Sequence, residues 1–114
     1  MSENSKLGEL EQIVMLAVLR LGRDAYGAAI QRELDERAGR SVSIATIYVT
    51  LTRLEAKGLV ASAFAEGGGA RGGRAKRVFR LEAGGLEALR RARESLARMW
   101  DGLDAAGADV ARAR

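Results

Sequence analysis

Residues 41–60, "SVSIATIYVTLTRLEAKGLV", decide the fold of this chain. Ile44, Thr46, Ile47, Val49, Thr50 and Thr52 are β-branched, and by propensity alone the stretch would favour a strand. Its period points the other way. Ile44, Ile47, Tyr48, Leu51 and Leu54 fall on one side at helical rotation, Ser43 has the chemistry of an N-cap, and Gly58 stands where a helix stop is expected. The spacing therefore predicts a helix over 43–57. Thr46, Val49, Thr50, Arg53 and Lys57 then cluster within about 100° of arc on the opposite side. Short hydroxyls, a cation and one methyl-bearing valine are groups that can enter a major groove, donate to base edges and phosphates, and touch a thymine methyl. An amphipathic helix also shows polar residues to water, and on this helix alone that plainer reading leads.

Working toward the N-terminus, two more helical stretches precede this one. Leu10, Ile13, Val14, Ala17, Val18 and Leu21 follow the spacing of a helix face, with Gly22 as the stop. Met15, Leu16 and Leu19 fill the other side, so this helix is expected to need cover on two faces, the second from a partner chain. "AYGAAIQRELDERAGR" places Tyr26, Ile30 and Leu34 at i, i+4 and i+8 and ends at Gly39.

Toward the C-terminus, "LVASAFA" and "KRVFRL" read as two strands of a hairpin joined by a glycine-rich tip. Residues 67–81, "GGGARGGRAKRVFRL", hold five basic and no acidic side chains, while the segments on either side are close to neutral, so the net charge of +4 is concentrated here. Such a local excess attracts polyanions. Three helices followed by a hairpin is the order of a winged helix-turn-helix, with 43–57 as reader and 66–76 as the wing. Glycine lets a wing approach a duplex closely, and Arg or Lys meet phosphates or a minor groove.

Composition narrows the alternatives. At 114 residues and 47% hydrophobic content the chain fits one ordinary globular domain. The longest uninterrupted apolar run, "IVMLAVL" at 13–19, is far short of a membrane span, and "MSENSKLGEL" lacks the basic-then-apolar order of a signal peptide, so a cytoplasmic location is expected. With no Cys and no His, disulfides, thiol nucleophiles and imidazole bases are excluded, and neither cofactor nor metal is expected. "GGARGGRA" at 68–75 has the glycine spacing of a phosphate-binding loop but Arg74 and Ala75 where Lys and Ser or Thr are required. Asp35 and Glu36 are adjacent and point apart on a helix, so they form no acid–base dyad.

The segments "LGELEQIVMLAVLRLG", "AYGAAIQRELDER", "SIATIYVTLTRLEAKGLV" and "RGGRAKRVFRLEAGG" together resemble the PadR-type bacterial transcriptional regulators over residues 7–85. The short C-terminus resembles the subfamily with a single dimerisation helix. The resemblance implies a homodimer on an inverted-repeat operator, commonly a repressor released by a small molecule or stress signal, and matches Tyr26 and Tyr48 to family tyrosines near the DNA backbone. Three departures stand out: no proline in the wing, Val78 and Phe79 in place of paired aromatics, and Glu82 in place of the usual Thr before the last helix.

That last helix, from about 82 onward, repeats Leu89, Leu96 and Leu103 every seven residues, with Ala92 and Met99 between them and Trp100 beside the seam. Packing of the last helix of one chain on the first helix of another would cover both apolar surfaces.

The fold expected is therefore mainly α with a small β-hairpin: a winged helix-turn-helix at 1–81 and a dimerisation helix with a frayed tail at 82–114. Ser43, Thr46, Val49, Thr50 and Arg53 are the expected readers, Tyr26, Tyr48 and Lys57 the phosphate-positioning residues, and Arg71, Arg74, Lys76 and Arg77 the wing cations. Val14, Val18, Leu89, Leu96, Met99, Trp100 and Leu103 are the expected dimer interface. The partners are a double-stranded operator and a second copy, with a small-molecule inducer of unknown identity left open. A basic-loop adaptor docking on an acidic protein or anionic membrane, without operator preference, is the alternative. A carboxylate or tyrosine enzyme would need a concave site with a raised-pKa acid, and no such constellation is visible.

Overall fold

The computed structural model describes residues 7–65, 76–103, 105 and 107. Helix α1 (Glu9–Leu21) begins after Gly8, whose N–H donates to the Glu11 carboxylate at 3.0 Å. It ends at Gly22, whose φ of 59° lets the chain reverse into a 3-10 turn (Gly22–Asp24) that hydropathy periodicity does not announce. Helix α2 (Gly27–Ala38) stops at Gly39 in the left-handed region, and Gln31 Nε2 reaches across the next turn to donate to the Val42 carbonyl at 2.8 Å. That bond fixes the turn between α2 and α3.

Helix α3 (Ile44–Ala56) forms where the period places it, in spite of its β-branched content. The Ser43 hydroxyl accepts from the Thr46 N–H at 3.1 Å, and Gly58 follows the helix at φ 77°. Ile47, Leu51 and Leu54 are fully buried, and this burial outweighs a propensity difference of at most about 1 kcal/mol per residue.

Strands β1 (Val60–Ala65) and β2 (Lys76–Leu81) pair antiparallel, from Val60 opposite Leu81 to Ala65 opposite Lys76. The residues ahead of α2 lie along the outer edge of β2: the Phe79 N–H donates to the Ala25 carbonyl at 2.8 Å, and Tyr26 bridges Val78. Tyr26 is thus the N-cap of α2 and not a core-facing helical residue alongside Ile30 and Leu34.

Helix α4 (Ala83–Trp100) starts directly after Glu82. No side chain caps it, and the Glu82 carboxylate sits 3.6 Å from Arg80 instead. The helix is anchored by backbone: the Glu82 N–H donates to the Leu59 carbonyl at 2.9 Å. The core gathers Val14, Met15, Val18, Ile30, Leu34, Ile47, Leu51, Leu54, Phe79 and Leu89.

This core corrects part of the expected dimer surface. Val14 and Val18 are buried in the chain's own core at 0% and 1% exposure, and Leu89 at 7%, because the root of α4 folds back on α1 and β2. Met15 is covered in the same way. What α1 leaves to solvent is Leu16 and Leu19, at 44% and 49% exposure. On α4, every residue from Arg93 to Trp100 is exposed.

The α4 root depends on close approach at Gly85, where an added Cβ would collide with the Leu59 carbonyl oxygen and reach within 3.0 Å of a Leu81 methyl. At Gly84 the nearest atoms are an ordinary 3.8 Å away. Gly85→Ala should therefore cost about 1–3 kcal/mol of stability through overpacking, while Gly84→Ala should be neutral or stabilising by up to about 1 kcal/mol through helix propensity. Urea unfolding of the two variants checks the contrast, and equal stabilities would refute close packing at this joint.

Candidate nucleic-acid interface

Because Ile47, Leu51 and Leu54 point inward, the opposite side of α3 is presented outward. Thr46, Val49 and Arg53 are exposed there, Val49 at 51%, within about 60° of arc. Arg53 joins no ion pair among the described residues. Ser43 is exposed at the head of this face, where its hydroxyl serves the cap and also donates to Thr46 Oγ1 at 2.9 Å.

Thr50 does not belong to this face. It is 4% exposed, and its hydroxyl donates to the Thr46 carbonyl at 2.8 Å. Around the helix it lies only about 40° from Leu54, at the margin of the core, so the arc assigned from sequence was too wide by one residue.

A cleft of about 610 Å³ opens beside α3, with Tyr26, Tyr48 and Lys76 among its walls. The Lys76 ammonium sits 4.0 Å from the centre of the Tyr26 ring, a cation–π contact that holds the cation at the cleft. Tyr48 is half-buried, its ring 6.0 Å from that of Phe79. On its other side the ring rests against Gly27, where a Cβ would come within 2.7 Å of the Tyr48 hydroxyl. Gly27 is thus a site residue that periodicity did not reveal, since its role arises from contact with a residue twenty-one positions on. The first turn of α2 carries neither a side-chain cap nor an acidic residue. Unpaired N–H groups at a helix start, two phenols and an ammonium make a surface suited to a phosphate.

Two expected contact cations are engaged within the chain. Lys57 pairs with Glu11 at 3.2 Å, joining the end of α3 to the start of α1. Arg77 pairs with Glu55 at 2.9 Å and also donates to Ser62. Neither is a free phosphate contact, and the partners Glu11 and Glu55 carry no local sequence signal, being 46 and 22 residues away. Arg71 and Arg74 lie outside the described residues. Among the described residues no helix is long and apolar enough to cross a membrane.

The family model described as the transcriptional regulator PadR-like family matches residues 15–91. A PadR family transcriptional regulator from Eggerthella lenta is 32% identical, with a TM-score of 0.64 over 83% of this chain and 82% of that one. A PadR family regulator from Clostridium difficile shares the fold at 20% identity and a TM-score of 0.70, covering 85% of this chain and 96% of that one. Bacillus subtilis PadR, solved in complex with operator DNA, shares the fold at 19% identity and a TM-score of 0.60, over 75% of this chain and 47% of that one. Among curated proteins none matches. The arrangement of a fixed helix-turn-helix, an outward α3 and a basic hairpin accords with these likenesses, and the chain belongs to the PadR-like family of transcriptional regulators.

Proposed function

We propose that this regulator acts as a homodimer that reads an inverted-repeat operator through α3 and its wing, as a repressor. PadR family members are transcription regulators and not enzymes. The observation that carries the reading is the exposed set of Thr46, Val49 and Arg53 on a helix whose other side is locked in the core. Ser43 stands at its head, and Tyr26, Tyr48 and Lys76 offer backbone contacts alongside. Arg71 and Arg74 extend the cationic surface into the wing on the strength of sequence charge alone. Bacillus subtilis PadR, which shares this fold, was solved in complex with operator DNA, and this supports DNA as the partner here.

The dimer reading rests on apolar surface left without cover. Leu96, Met99, Trp100 and Leu103 are 57%, 72%, 60% and 47% exposed. Leu16 and Leu19 line a groove of about 270 Å³ between α1 and α2, rimmed by Glu33 with Arg20 and Arg37. The second half of α4 from one chain is matched to that groove on another, with residues 1–81 as the DNA-reading unit and 82–114 as the arm. Gly85 and Leu89 root the arm in its own reader.

Light scattering at micromolar concentration should give a dimer, and Leu96→Asp should give a folded monomer; a monomeric unmodified chain would defeat the homodimer. On an operator located by protection mapping of the DNA beside its own gene, Arg53→Ala should lose about 1–3 kcal/mol of cognate binding if it makes a bidentate base contact, with a smaller loss on scrambled duplex. Thr50→Val, altering a buried hydroxyl, should leave the preference between duplexes unchanged. Replacing Arg71, Arg74 and Lys76 together by Ala should flatten the salt dependence of log affinity by roughly 0.9 per lost phosphate contact. Equal losses on both duplexes for Arg53→Ala, together with an unchanged salt slope, would favour the adaptor reading instead.

A further inference from the structure

The hairpin that carries the wing is gripped by apolar packing only at its base. Val60 on β1 and Phe79 on β2 are buried, while Ala63, Phe64, Ala65 and Lys76 are exposed. Next to that apolar grip a closed polar triangle takes over. Glu55 Oε1 accepts from Arg77 Nη2 at 2.9 Å, Glu55 Oε2 accepts from Ser62 Oγ at 3.0 Å, and Arg77 Nε donates to Ser62 Oγ at 3.2 Å. The three bonds close on one another, because the serine hydroxyl gives its one proton to Glu55 and receives one from Arg77. Ser62 is on β1 and Arg77 on β2, so one carboxylate of α3 ties both strands. The guanidinium also lies 5.0 Å from the Phe79 ring, which completes its confinement. Arg77 and Glu55 are each 34% exposed, shielded enough for the pair to matter and open enough for Arg77 to reach solvent once released.

We propose that Glu55 is a positioning residue for DNA recognition, withholding Arg77 from phosphates and fixing the direction in which the hairpin leaves the body. The proposal rests on the DNA-reading function above. Around α3, Glu55 stands about 160° from Arg53, so it does not touch the reading face itself. A released Arg77 would add one sequence-blind phosphate contact per chain. A hairpin without its polar tie would stay held at its base by Phe79 and the Ala25 and Tyr26 backbone links, but its strands would lose their side-chain anchor to α3 and with it part of the orientation that a registered complex needs. Both effects lower the preference for operator over general duplex, the first by strengthening the random complex and the second by weakening the specific one.

Salt titrations by fluorescence anisotropy on operator and scrambled duplex would test this with the unmodified dimer, Glu55→Gln, Arg77→Met and the double variant, each checked for fold by circular dichroism. For Glu55→Gln the slope magnitude on scrambled duplex should rise by about 0.9 per chain, and operator preference should fall roughly three- to ten-fold. Arg77→Met alone should leave the scrambled-duplex slope unchanged, and added to Glu55→Gln it should cancel the rise. A shallower slope for Arg77→Met alone would mean that Arg77 already meets phosphates and would overturn the proposal, as would unaltered slope and preference in Glu55→Gln. The Arg77→Met comparison stays decisive even where Glu55→Gln unfolds. The scrambled duplex requires no operator, so absence of preference in the unmodified chain would count against the operator reading and leave the slopes to judge Glu55.

Discussion

Ile47, Leu51 and Leu54 enter the core from one side of α3, and their burial determines where every other side chain of that helix points. Rotation about the helix axis is thereby fixed. Thr46, Val49 and Arg53 can only face outward, Tyr48 can only lean over Gly27, and Glu55 can only face the hairpin. A change that rotated α3 by one residue, about 100°, would bury Arg53's side and expose the leucines at a cost no surface contact could offset. The readout surface is thus a consequence of core packing, with the exposed residues free to vary in identity but not in direction.

Charge is arranged on the same frame. Cations close to the body are matched by acids: Lys57 by Glu11, Arg77 by Glu55, Arg20 and Arg37 by Glu33. Among the described residues Arg53 on the outward face of α3 joins no ion pair, nor do Arg23 and Arg32 on the body or Arg90, Arg93 and Arg98 on α4, and in sequence residues 67–81 carry no acid at all. Positive residues in the sequence therefore cannot be counted as contacts one for one. Pairing separates those that join elements together from those left without an acid among the described residues.

Helix limits and strand limits were legible because each has a local cause: Gly22, Gly39 and Gly58 at positive φ, Ser43 as a cap, and apolar periods between them. The outward face of α3 was legible for the same reason, apart from Thr50, which sits at the margin where a helical wheel divides buried from exposed least sharply. What escaped was every role created by contact between distant elements. Gly27 matters because of Tyr48, and Arg77 is occupied because of Glu55, neither of which a local pattern encodes. The reverse side of α1, Met15, Leu16 and Leu19, was expected to be covered by a partner chain, but the chain itself encloses Met15. Met15, Val14 and Val18 are enclosed by the chain's own core, Leu89 included, and only Leu16 and Leu19 remain.

The heptad of α4 changes its task along its length. Leu89 belongs to the chain's own core, whereas Leu96, seven residues on, is exposed; Leu103, expected as the next member of the stripe, lies past the helix end at Trp100 and after Gly102 at φ 82°. A helix of 18 residues is about 27 Å long, and only its first half is attached to the body. In the proposed dimer this geometry would make α4 a rigid strut, rooted by Gly85 and Leu89 in one reader and closing on the second copy through its far end. Spacing between two α3 helices would then be set by the angle at which α4 leaves its root and not by a flexible linker. The close approach of Gly85 to the Leu59 carbonyl and Leu81 is what would hold that angle, because a loosely packed root would let the helix swing.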